Sequence, residues 1–181
     1  MDVSAAFLQG KPINRVVHIE PPKEFKKLGK VWRLRKGLYG LREASRLWFE
    51  ELSAYLISKG GQKLLGDDAV FLFFRDGKLV GIVCVHVDNI IGTGDDEFHG
   101  EVIDGIKTRF KISKDQEGNF TYTGMSVWTD SKGQVHLNQN KYIEEMEEIL
   151  SLSPCVTLQF VLCKFTVFTT IFKIASLLQY Y

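Results

Sequence analysis

The sequence predicts an α+β domain, an antiparallel sheet backed by helices, over residues 2 to about 150. Three observations carry this reading. Apolar residues recur at helical spacing over 41–59, an Asp76-Gly77 pair joins apolar runs at 70–74 and 79–87, and the second run continues through Asp88-Asn89 into Ile90-Ile91. Asp-Gly between apolar runs is the strongest short-range hairpin signal, so three strands follow one another through the Asp88 tip.

The elements follow in chain order. Residues 2–9 form a short apolar segment opened by a carboxylate, Asp2, whose place beside Met1 predicts a frayed strand end. Lys11-Pro12 turns the chain, and Val16-Val17-His18-Ile19 is a brief strand stopped by Pro21-Pro22. Val31-Trp32-Arg33-Leu34 alternates like a strand with one wet face, and Gly37-Leu38-Tyr39-Gly40 is a turn. Over 41–59, Leu41, Ala44, Leu47, Trp48, Leu52, Tyr55 and Leu56 make a buried helical stripe that Gly60-Gly61 ends. At Asp88-Asn89 the strands meet in an acidic two-residue tip, since Asp and Asn both tolerate the positive φ it needs.

After Gly94, Asp95 or Asp96 caps a second helix with the stripe Phe98, Val102, Ile106 and Phe110. Residues 120–128 and 134–137 read as two strands of one further hairpin, joined through Asp130-Ser131-Lys132-Gly133. A third helix spans 139–150, with Tyr142, Ile143, Met146, Ile149 and Leu150 inside and four glutamates outside. These elements make one domain at 1–153. From 154 to 181 lies a hydrophobic tail without acidic residues and without a clean period, to which no fold is assigned.

Composition bounds the partners. The net charge of +1 gives the whole molecule no electrostatic bias, but residues 23–46 hold nine cations against Glu24 and Glu43, an excess suited to a phosphate backbone. Three cysteines far from any Cys-x-x-Cys spacing, with Cys84 inside an apolar run, read as buried thiols in a reducing compartment. The four histidines are scattered, which argues against zinc. No signal peptide is evident, and Lys164 and Lys173 leave uncharged stretches shorter than the about 20 residues a membrane span needs. An intracellular protein without a membrane partner is expected.

An acidic residue opening a strand, then a helix, then a hairpin with acid at its tip is the order of a nucleotidyl-transfer palm. Two magnesium ions about 3.5 to 4 Å apart demand hard oxygen ligands, so carboxylates distant in sequence must converge there. Asp2 through Gly10 (DVSAAFLQG) resembles the first catalytic motif of copia-type retrotransposon reverse transcriptases, and Leu38 through Phe49 (LYGLREASRLWF) resembles their second. His86-Val87-Asp88-Asn89 sits where that family has Tyr or His, Val, Asp, Asp. Gly118 through Gly124 and Gln139 through Ile143 are similar to later segments of the family, in order and at fitting distances.

The resemblance implies a polymerase palm and an RNA-directed DNA polymerase that uses Mg2+, a template-primer of RNA or DNA and deoxynucleoside triphosphates. It makes Asp2 and Asp88 the catalytic metal ligands, with Asn89 as a degenerate third, and puts Phe7 under the sugar of the incoming nucleotide. Tyr39, Gly40, Arg42 and Arg46, with Lys36 before them, become template or nucleic-acid contacts. Two departures follow. Asn89 replaces a family aspartate, so an amide oxygen stands in for an anionic ligand. The family's fingers and thumb extend beyond the matched motifs, so this chain reads as a fragment that is inactive as it stands. The rival reading is a non-catalytic nucleic-acid-binding remnant of the same domain. Association with an intact element polyprotein is left open by the sequence.

Overall fold

The computed structural model describes residues 1–145 apart from 27, 28, 123, 132, 133, 141 and 144. The chain divides into two compact units, Met1–Lys114 and Asp115–Tyr181.

The first unit is built on a six-stranded, wholly antiparallel sheet. Its strands are β1 (Asp2–Val3), β4 (Gln62–Leu64), β5 (Asp67–Arg75), β6 (Lys78–His86), β7 (Asn89–Gly94) and β8 (Ile112–Lys114), in the order β4-β5-β6-β7-β1-β8. The β5–β6 hairpin forms as expected, with Asp76 at φ +51 and Gly77 at φ +76, the two positive values of a type I′ turn. Strands β4 and β8 are additions to the sequence reading. Both are three residues long, and β4 is largely exposed, so neither shows the alternation that reveals a strand.

The strand end at Asp2 is paired on both sides, contrary to the expected fraying. Asp2 lies opposite Asn89 on one side and Lys114 on the other. Ile90 N donates to Met1 O at 2.9 Å, the α-amino group donates to Ile90 O at 2.8 Å, and Val3 N donates to Asp88 O at 2.8 Å. A two-residue strand inserted between two others has its main-chain groups satisfied from both neighbours, which end position alone does not reveal.

The expected helix at 41–59 is α2 (Ala44–Ser58), with Ala44, Leu47, Trp48, Leu52 and Leu56 buried. Its end is a Schellman motif: Gly60 takes φ +91, Gly60 N donates to Ile57 O, and Gly61 N donates to Leu56 O. The second helix begins where the sequence placed it, with the Asp95 side chain accepting from Phe98 N at 2.7 Å. It runs as α3 (Asp96–Phe98), a π-helical turn (His99–Ile103) and α4 (Asp104–Arg109). The wide π turn brings Ile103 inward beside the anticipated Phe98, Val102, Ile106 and Phe110. These helices share one core with Val3, Phe71, Phe73, Val83, Val85 and Ile90 of the sheet. Gly81 and Gly94 pair across β6 and β7 because the Phe98 ring lies on them, and a Cβ on either would stand 2.3 Å from a ring carbon.

A short helix, α1 (Ala6–Gln9), follows β1, and a separate two-stranded ribbon pairs β2 (His18–Ile19) with β3 (Trp32–Arg33). Both residues of β3 are exposed, so the expected one-sided wetting is two-sided.

The second unit contains a three-stranded meander, β9 (Phe120–Tyr122), β10 (Met125–Thr129) and β11 (Val135–Asn138). What reads in sequence as one strand over 120–128 is two, because Gly124 at φ +83 turns the chain and pairs Tyr122 with Met125. Ile143 N donates to Gln139 O, and Ile143, expected inside the third helix, is exposed. The rest of that helix, Cys155, Cys163 and the tail from 154 to 181 lie outside the described residues.

Candidate functional site

The turn between β6 and β7 is the centre of the site, and its register differs from the sequence reading by one residue. The two turn residues are Val87 and Asp88, closed by the pair His86 and Asn89. This register sets polar His86 opposite polar Asn89 and buried Val85 opposite buried Ile90. A slip of one residue would turn one strand's apolar face outward. The positive φ therefore falls on Val87, at +55, a β-branched residue for which the left-handed region is a true outlier. The Trp48 indole Nε1 donates to Val87 O at 2.6 Å.

Asp88, at the second turn position, lines an open cleft of about 250 Å³ together with Ala5, Ala6, Phe7, Leu8, Leu38 and Tyr39. Two local features bring the far wall there. Ala5 at φ +47 bends the chain from β1 into α1, which carries Phe7. Gly37 lets the following loop close, since a Cβ there would stand 3.1 Å from both the Ala44 Cα and the Phe7 carbonyl oxygen. The rings of Phe7 and Tyr39 meet at 5.4 Å between centroids, with Tyr39 88% exposed.

Asp2 lies opposite Asn89 in the ladder, which places those two side chains on one face of the sheet, but Asp2 is not among the residues lining the cleft. The Ser113 hydroxyl donates to its carboxylate and lies 3.0 Å from its main-chain carbonyl. The Asn89 amide nitrogen is 3.3 Å from Asp88 Oδ1. Among the described residues no group of three or more His, Cys, Asp or Glu is arranged to hold a metal ion. Asp88 is the one carboxylate among the described residues of the cleft lining, with Asp2 and Asn89 outside it; carboxylate and amide oxygens are hard donors of the type Mg2+ takes.

The expected nucleic-acid contacts divide. Tyr39 lines the cleft and Gly40, at φ +95, is exposed beside it. Lys36, Arg42 and Arg46 are exposed outside the lining, Lys36 in a β-bridge with Pro12 and Arg46 bonded to Glu50 at 2.5 Å. Glu43, one of two acids within the basic stretch, is taken at 2.6 Å by Arg15, a cation outside it. That hydrogen bond holds the Glu43 carboxyl below its ordinary range and raises the Arg15 guanidinium.

Two residues at the site escaped sequence reasoning. Trp48 reads as one more member of a buried stripe, although a buried indole N–H needs an acceptor and so signals a polar contact of some kind. Ser113 lies 111 residues from Asp2 and carries no local signal.

Residues 1–163 match the family profile described as "Reverse transcriptase (RNA-dependent DNA polymerase)", and the match runs past Cys155. The chain is 35% identical over 150 residues to the Retrovirus-related Pol polyprotein from transposon RE1 of Arabidopsis thaliana, covering 81% of this chain and 10% of that polyprotein. It is 32% identical over 163 residues to the corresponding polyprotein from transposon RE2 of the same plant, covering 87% and 11%. With that from transposon TNT 1-94 of Nicotiana tabacum it shares 29% identity over 153 residues, covering 82% and 11%. These are Pol polyproteins of plant copia-type transposons, and the chain spans about a tenth of their length. No solved structure matches the chain. On the profile and on these relatives, the chain belongs to the reverse transcriptase (RNA-dependent DNA polymerase) family.

Proposed function

We propose that Met1–Lys114 is the palm-like core of a copia-type reverse transcriptase site, degenerate at Asn89. The observation that carries this is the convergence of Asp88, Phe7 and Tyr39 in one cleft, from segments that resemble three different motifs of the family. Asp88 and Asp2 are the residues to hold Mg2+, with the Asn89 amide oxygen as a weaker third donor. When bound, Mg2+ supplies charge to the attacking primer 3′-hydroxyl and to the departing pyrophosphate of the nucleotide. On this reading the Phe7 ring is the floor under the sugar of the incoming nucleotide and excludes a 2′-hydroxyl. Tyr39, exposed above Phe7, offers a face on which a base stacks.

The chain is inactive alone on this reading, for two reasons. Asn89 removes one negative charge from the ligand set. The cleft opposite Asp88 is apolar, and Lys36, Arg42 and Arg46 lie outside its lining, so among the described residues no cation lines it to clamp a triphosphate. Asn89→Asp therefore tightens Mn2+ binding without producing primer extension. A primed RNA template with deoxynucleotides and Mg2+ is the assay, and sustained extension by that variant would show that Asn89 was the sole lesion.

A second reading, a nucleic-acid-binding remnant, is favoured by one observation. Lys23, Lys30, Arg33, Arg35, Lys36 and Arg42 are exposed and have no carboxylate partner among the described residues. Binding that weakens steeply with salt and ignores both Mg2+ and Asp88→Asn supports it.

A further inference from the structure

Trp48 stands where α2 meets the β6–β7 turn. It is 1% exposed, its ring edge packs against Phe110 at 5.2 Å, and Gly10 passes so near that a Cβ there would lie 2.8 Å from the Trp48 Cα. Phe110 thus packs on the ring and Gly10 on the main chain behind it, and the indole's one polar group, Nε1–H, is spent on Val87 O across 39 residues of sequence.

Val87 needs such a partner. Its φ of +55 is disfavoured by its own branched Cβ, and with the residue 48% exposed, packing does little to hold it there. The carbonyl that the indole takes belongs to the Val87–Asp88 peptide plane. Fixing that plane fixes the Asp88 N and Cα, the point from which its side chain leaves the backbone.

We infer that Trp48 is a positioning residue: its indole N–H holds the Val87–Asp88 peptide in a disfavoured turn and so aims the Asp88 carboxylate into the cleft. This rests on the reading of Asp88 as a metal ligand. The consequence for substitution is specific. Glycine at 87 adopts positive φ freely, so a turn with glycine there no longer needs the indole.

The test uses the full chain and Mn2+ alone as probe, with free ion measured by electron paramagnetic resonance. Asp88→Asn abolishes binding, and Trp48→Phe, which keeps an aromatic ring and loses the donor, weakens it about tenfold, the equivalent of one hydrogen bond. Val87→Gly in the Trp48→Phe background restores most of the lost affinity. Leu52→Ala, a cavity elsewhere on α2, leaves affinity in the folded protein unchanged. Should Trp48→Phe fail to fold, 3-benzothienylalanine at 48 keeps the bicyclic shape without the N–H and replaces it in the series. Unchanged affinity on removal of the donor overturns the positioning role while leaving Asp88 as a ligand. A loss that Val87→Gly does not restore also overturns it, since Trp48 would then act through general packing. If the parent chain binds no Mn2+, or Asp88→Asn binds as the parent does, the metal-site reading itself fails.

Discussion

Strand β6 is closed at each end by a two-residue turn, and the two turns are held by different means. At the β5–β6 end, Asp76 and Gly77 both carry positive φ, and both are residue types that accept it. The turn is written in its own two residues. At the β6–β7 end the positive φ falls on Val87, which resists it, and the conformation is supported by a hydrogen bond from a helix 39 residues away. A turn that only reverses the chain is left to local chemistry, whereas one that presents a carboxylate to a cleft draws on the rest of the fold.

The largest effect is expected from damage to the strand both turns share. Gly81→Ala puts a Cβ into the Phe98 ring, 2.3 to 2.5 Å from three of its carbons. Because Phe98 is buried and also packs on Phe73 at 5.1 Å, it has little room to yield. A loss of about 1–3 kcal/mol in urea unfolding is expected. Gly77→Ala attacks the local turn alone. At φ +76 an L-residue costs about 1–2 kcal/mol, with no change in Mn2+ affinity at the other end of β6.

Cys84, buried on β6 between the two turns, supplies a pH-dependent probe of the same strand. Burial pushes its thiol from an ordinary 9.0 up to about 12. The thiol stays protonated in the folded chain at pH values where the unfolded chain loses the proton, so stability falls as pH rises between about 9 and about 12. At pH 10 the loss is on the order of 1 kcal/mol, read as the difference in pH dependence between the parent and Cys84→Ala. Below pH 9 the two profiles run parallel, and a thiol reagent labels Cys84 only through unfolding. The smallest effect expected is that of Val87→Gly in the otherwise unchanged chain. Relief of the disfavoured φ is offset by greater freedom of the unfolded chain, for a net change within about 1 kcal/mol. A large destabilisation would show that the valine side chain, and not the indole, holds the second turn.

Much of the first unit was legible because its signals are local. Asp76-Gly77, the Asp95 cap, Gly60-Gly61 and the apolar stripes of α2 and of the 96–109 helix each declare themselves within a few residues. Where the reading slipped, the cause was a partner from elsewhere. The tip shifted from Asp88-Asn89 to Val87-Asp88 because the strands pair Val85 with Ile90, and no dipeptide preference sees that pairing. Residues 120–128 split into two strands at Gly124 for the same kind of reason, a glycine at positive φ inside an otherwise unbroken β pattern.

By itself, the sequence determined the family, through ordered motifs over most of the chain, and the chemistry on offer: carboxylates at 2 and 88, an amide at 89, an aromatic at 7 and a basic run at 23–46. These are properties of residue type and spacing, which survive without a fold. Only the tertiary structure decided that Asp88 shares a cleft with Phe7 and Tyr39, that Asp2 lies opposite Asn89 and under the Ser113 hydroxyl, and that the cations at 36, 42 and 46 stand outside the lining. It also gave Trp48 a polar duty inside an apolar stripe. The reason is that a site is a set of distances between residues far apart in the chain. Such distances are fixed by strand register and helix packing, which depend on every element at once.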